Sequence, residues 1–312
     1  MLHVTNGDAA VTTIRAAGME GDILPWRDVL HEGPVPAPAT LDSLRPVRAR
    51  FLAAQGWGTA VELAREIEER DRRLGRAIAE EEVVLWFEHD LYDQLQLAQV
   101  LDWLASARRS VAAGTRVTLA QSDDYLGLMP ADRLRPLFES RREVTDAQLE
   151  AAQRAWRAFS SSDPRAVEAV LDSLDALPFM RPALVRHLEE FPAAENGLSR
   201  TERQTLETLV VGSYTFPDLF HAAHHDREEP IFLGDAVFLV LLKALAAGDE
   251  PLLRMDNEKV WLTDAGRAVL AGTRDRVETL GIDRWLGGVH LKGRRVPYRW
   301  NASTQGLLVA AS

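Results

Sequence analysis

A chain of 312 residues is long enough for two domains of ordinary size, and 46% apolar content places it among globular sequences. Its net charge of -11 is uneven: residues 1–197 carry 22 basic and 32 acidic side chains, residues 198–312 carry 14 and 15. An acidic first half disfavours broad binding to nucleic acid or an anionic membrane, and the lack of cysteine excludes disulfides, thiolate catalysis and Cys-ligated zinc.

The first residues have neither the basic nor the apolar region of a signal peptide. The longest apolar run, residues 236–242, is too short to span a bilayer. The expected address is the cytoplasm.

Residues 2–5 read as a strand, Asn6-Gly7-Asp8 as a turn and residues 9–17 as a helix. A second short strand is expected at 23–24. A loop stiffened by Gly33, Pro34 and Pro36 follows, then helices over 44–55 and 59–79. Strand 83–87, helix 91–108 and strand 116–120 complete the unit. Alternating strands and helices predict an α/β fold with an open, mostly parallel, three-layer sheet over residues 1–129. The carboxyl ends of such strands share one edge, where ligands bind. That edge would gather Asn6-Gly7-Asp8, Glu88-His89-Asp90 and the acidic turn at 121–124. The chain has no GxGxxG after its first strand and no GxxxxGK[ST], so it lacks the dinucleotide and P-loop fingerprints.

Residues 130–195 read as a helical connecting region, ending in a linker at 192–197. Residues 196–312 read as a winged-helix-like α+β domain. Ser199 and Glu202 form a capping box, helices are expected over 200–211, 216–225 and 234–247, and two short strands precede a helix opening at Thr263. Between Gly234 and Ala247 only Asp235 and Lys243 are charged, so this third helix is expected to be buried on most sides, which argues against DNA reading. In the tail, Arg284, Lys292, Arg294, Arg295 and Arg299 are expected to face no acidic residue. The tail is expected to form an antiparallel hairpin with a solvated basic face, or else to touch an anionic partner.

Three long stretches, residues 3–8, 23–36 and 85–95, resemble the DUF1835 domain family, a bacterial family of unknown function, and the C-terminal part resembles the region that accompanies this domain in longer members. The resemblance implies the domain layout and brings no activity or catalytic residues with it.

Candidate site residues lie where strand 83–87 ends. Glu88 and Asp90 are hard oxygen donors suited to Mg²⁺ or Mn²⁺, and His89 can change charge near neutral pH. Asp90 can equally cap the helix at 91, with Asp93 in its favourable first turn. Gln94 can point into the same pocket. His31 is a candidate proton carrier in the stiffened loop, which is read either as a lid over the sheet edge or as a loop pinned by internal hydrogen bonds with Trp26 as its core anchor. Arg27 can hold an anion or pair with Asp28. Asn6, Gly7 and Asp8 would complete a ligand site, with backbone amides at a helix start facing an anion. His221 and His225 share helical spacing but lack the glutamate of HExxH.

The leading expectation is a metal-dependent hydrolase, or a binder of a small phosphorylated or nucleotide ligand. Glu88 and Asp90 would hold metal or water, His89 or His31 would move a proton, and Arg27 would hold the anion. The alternative is a non-catalytic ligand sensor whose winged-helix-like domain binds DNA or a protein partner. A structural scaffold assembling through the helical middle is a third reading, and the oligomeric state stays open.

Overall fold

Five consecutive apolar residues, Val83 to Phe87, are wholly buried and lie at the centre of the molecule. Such a run fits an interior parallel strand covered on both faces. In the computed structural model, which describes residues 1–107 and 115–309, that strand is the middle of a five-stranded sheet.

The N-terminal elements follow in chain order. They are β1 (Leu2–Thr5), α1 (Asp8–Ala16), β2 (Asp22–Pro25), β3 (Gly33–Pro34), α2 (Leu41–Ala54), α3 (Ala60–Ala77), β4 (Glu82–Phe87), α4 (Leu91–Ala107) and β5 (Arg116–Gln121). The expected helix end at residue 108 lies outside the described residues. The sheet order is β2-β1-β4-β5, parallel throughout, with a short antiparallel edge strand β6 (Arg142–Glu143) beside β5.

Alternation along β4 splits the core between the two sheet faces. Val84 and Trp86 pack with Ile14 of α1 and with Leu134. Val83, Leu85 and Phe87 belong to the larger cluster with Leu74 and Leu95. β1 lies between β2, its next strand in sequence, and β4, so the strand order changes direction there. The crevice at such a switch point is where an open α/β sheet receives ligands.

The middle of the chain carries α5 (Ala131–Ser140), β6, α6 (Asp146–Phe159), α7 (Arg165–Val170) and α8 (Met180–Leu188). It is therefore not wholly helical, as the sequence suggested: β6 interrupts it by pairing Glu143 with Thr118. After it come α9 (Arg200–Thr208), α10 (Phe216–Phe220), α11 (Asp235–Leu245), the hairpin β7 (Leu253–Met255) and β8 (Val260–Leu262), α12 (Asp264–Leu270) and α13 (Arg276–Leu280). The chain ends in two antiparallel pairs, β9 (Ile282–Gly287) with β10 (Val289–Gly293), and β11 (Tyr298–Asn301) with β12 (Gly306–Val309). The helices and hairpin fall where the sequence placed them. Among the described residues no helix is long and apolar enough to cross a membrane.

Two expectations about this region need correction. α11 is not buried on most sides. Val237, Phe238, Leu242 and Leu245 face the core, while Val240, Lys243 and Ala244 are exposed on the other face. The basic tail is not without acidic partners either. Arg284 pairs with Glu32 and Glu190, Lys292 with Asp283, and Arg299 with Asp275. Glu32 and Glu190 come from distant parts of the chain, so inspection of the tail alone misses them, whereas Asp283 lies directly across the β9–β10 hairpin from Lys292.

The N-terminal loop also joins the C-terminal sheet. β3 pairs in parallel with β9, matching Gly33 with Leu286, and Val35 N donates to Gly287 O at 2.8 Å. Gly33 has φ +78°, and a Cβ there would lie 2.6 Å from the Phe51 ring, so a side chain is excluded twice over.

Candidate functional site

The site grows from the junction of β4 and α4. Asp90 caps α4: its Oδ1 accepts from Asp93 N at 3.1 Å. Asp93, on the first turn, reaches back to the strand end, where its Oδ1 accepts from Glu88 N at 2.6 Å. Its Oδ2 accepts from Asn6 Nδ2 at 2.8 Å, so the residue after β1 is tied to the helix after β4 across the switch point. Glu88 Oε1 accepts from Leu126 N at 2.7 Å. Gln94 Nε2 donates to Glu88 O at 2.6 Å and fixes the turn from below. Tyr92 donates to Asn6 O at 3.0 Å.

These bonds draw three carboxylates together. One oxygen from each of Glu88, Asp90 and Asp93 lies within 4.8 Å of the others, and the residues are 5%, 3% and 0% exposed. No lysine or arginine pairs with any of the three among the described residues. Burial, then the neighbouring carboxylates, pushes Asp90 up to about 7. The same two causes raise Asp93 well above the carboxylate range, and burial raises Glu88. The donor set is all oxygen and able to hold a hard divalent cation.

The other predicted site residues divide into two groups. Asn6 and Gln94 join the triad directly. Gly7 adjoins it: it has φ +157°, and a Cβ there would sit 3.9 Å from the Tyr92 hydroxyl. Asp8 and Arg27 do not join it. They form a bidentate pair at 2.7 and 2.8 Å, with both side chains more than half exposed. Arg27 thus does not pair with Asp28, which is buried against Arg48 instead. Arg48 also holds the carbonyls of Val29 and Glu32, and Trp26 Nε1 donates to Gln99. The loop at 25–36 is pinned from inside, not held open as a lid.

His89 is not among the three clustered donors. Its ring contacts Tyr125 and Phe179, with Nε2 3.8 Å from Glu229. His31 packs edge-on against Tyr92 and Phe232. Both its ring nitrogens are buried without a protein partner, and burial lowers its pKa to about 3, so the ring is neutral. It lines a cavity of about 820 Å³ that the triad does not reach.

Asp93 is the member that sequence reasoning passed over as a helix-start charge. The signal was its position three residues after the capping Asp90, which puts both on the same first turn. His221 and His225 stack 5.6 Å apart, and His221 pairs with Asp226.

No family model matches the chain, and no curated protein matches it.

Proposed function

We propose that the carboxyl edge of the five-stranded sheet binds a hard divalent cation, Mg²⁺ or Mn²⁺, and serves metal-assisted hydrolysis of a small anionic, phosphorylated ligand. The observation that carries this is the buried trio Glu88, Asp90 and Asp93, concentrated without a balancing arginine or lysine among the described residues. Three carboxylates in a desolvated pocket either share protons or share a cation. Hydrogen bonds from Leu126 N, Glu88 N and Asp93 N orient them, as supporting donors orient metal ligands.

A bound cation would polarise a phosphoryl oxygen and lower the pKa of a coordinated water. Asn6 holds Asp93 in place, and Gly7 keeps the approach to Tyr92 free of a side chain. The DUF1835 resemblance agrees with this layout without specifying the chemistry. The DNA-binding alternative is disfavoured because the outer face of α11 carries a single basic side chain, Lys243, and the neighbouring Arg284 and Lys292 are paired with acids.

The test is calorimetric titration of Mn²⁺ and Mg²⁺ into chelator-treated protein, followed by phosphate-release assays on phosphomonoesters and nucleotides. The reading expects saturable binding that Asp93→Asn abolishes, and release that depends on Mn²⁺. A folded protein that takes up neither ion refutes it.

A further inference from the structure

We propose that the cavity between the 31–33 loop, α11 and the β9–β10 ribbon binds an uncharged, planar aromatic small molecule bearing one hydrogen-bonding polar group. Its volume of about 820 Å³ falls within the range of small-molecule sites. Its walls come from both ends of the chain, with Phe51 and Trp57 on one side and Phe232, Val240, Leu241 and Ile282 on the other. Val240, 38% exposed, presents its apolar side chain from α11 to this cavity.

The charges around the cavity are already satisfied. Arg284 is shared by Glu32 and Glu190, Arg276 is held by Glu202, and Lys292 pairs with Asp283. Arg294, at the rim, donates from Nη1 to the carbonyls of Glu278 and Thr279. The acidic and basic side chains in the wall are equal in number, so a charged ligand would enter without a counter-charge waiting for it.

His31 is the exception among the polar groups. It is 3% exposed and lines the cavity, both ring nitrogens are shielded from solvent, and among the described residues no group bonds to either. A buried imidazole without partners is costly, and a ligand hydroxyl, amide or ring nitrogen would supply what the fold leaves out. The apolar walls select the body of the molecule, and His31 selects its polar end.

The site can be tested on the full chain with Nile red, an uncharged planar heteroaromatic probe, and with anilinonaphthalene sulfonate as its anionic counterpart. One-to-one, saturable Nile red binding is expected, at least tenfold tighter than the anion. Val240→Trp, which fills the cavity from α11, should abolish it, as should Ala244→Phe on the same face should the first variant not fold. His31→Phe, which keeps the ring volume, should weaken binding about tenfold, the worth of one hydrogen bond, while leaving the melting temperature of the free protein unchanged or raised. Equal affinity for the anionic dye, unaltered binding in the folded filling variants, or no saturable Nile red binding would each overturn the proposal. Metal uptake does not enter this test, so the two sites stand or fall separately.

Discussion

Two acidic clusters are buried in this molecule, and they are built on opposite principles. At the meeting of α8, α9 and β9, Arg186 bonds Glu228 through two nitrogens at 2.9 Å and Glu190 at 2.8 Å, and Arg284 reaches Glu190 at 2.9 Å. The Thr201 hydroxyl donates to Glu190 at 2.5 Å. Burial alone would raise Glu190, but the two arginines outweigh it and hold its pKa well below the usual carboxylate range. At the β4–α4 junction the carboxylates have amide and Asn6 donors but no lysine or arginine partner among the described residues, and their pKa values move up. Burial is the same in both places. What differs is the counter-charge, and that separates a cluster that is complete within the chain from one that is not.

The largest effect should come from unbalancing the complete cluster. Arg186→Met leaves Glu190 and Glu228 buried with too little positive charge, and is expected to cost about 3–5 kcal/mol in urea unfolding. A loss under ~1 kcal/mol would mean that the network relaxes and that the contrast is overstated.

Asp90→Asn should act in the opposite direction. Asparagine still caps a helix, and it removes one of three crowded charges. In chelator at pH 8 the variant is expected to gain on the order of 1–3 kcal/mol over the parent, and to lose the rise in melting temperature that Mg²⁺ gives the parent. Destabilisation of the metal-free variant would show that the triad is not strained by like charge.

The pH dependence sharpens the same point. A carboxyl whose pKa is raised on folding contributes stability that is present below its unfolded value, near 4, and is lost as pH rises through its folded value, about 7 for Asp90. The stability difference between Asp90→Asn and the parent, both in chelator, should therefore widen from pH 5 to pH 8 and close when Mg²⁺ is added. The subtraction removes His31, His187 and His224, which burial lowers to about 3 and which act in both proteins. Those imidazoles give stability that is present above about 6.5 and lost as pH falls toward 3. A flat difference across the range would sink the charge argument.

The smallest effect belongs to the exposed pair. Asp8→Asn breaks a bidentate contact with Arg27, yet both side chains are more than half in solvent. Less than about 1 kcal/mol should be lost by chemical denaturation, and less still in high salt.

Much of the N-terminal sheet was legible in the sequence because β1, β4 and β5 are short apolar runs bounded by turns, a pattern with few alternative readings. The edge of that sheet was legible as a site for the same reason: Glu88 and Asp90 follow a strand with no polar residue after Glu82. Asp93 was harder, since a first-turn aspartate is ordinarily a dipole partner of its helix. The Asp28–Arg48 pair and the Glu32–Arg284 pair were invisible, because long-range pairing leaves no trace in local periodicity. The face of α11 was misjudged on similar grounds. An apolar helix looks the same in sequence whether its outer side meets protein or a cavity.

The strand pairing of Gly33-Pro34 with Leu286-Gly287 has a consequence for how the molecule is made. Glu32 and Arg284, which flank that contact, stand 252 residues apart in sequence. During synthesis the ribbon that β3 completes leaves the ribosome long after β3 itself, so the early loop must wait with its partner edge unformed. Cutting the protein at the apparent linker near residue 195 would strip β9 of its third strand and leave an open sheet edge on one fragment. Neither fragment is expected to reach its native form alone.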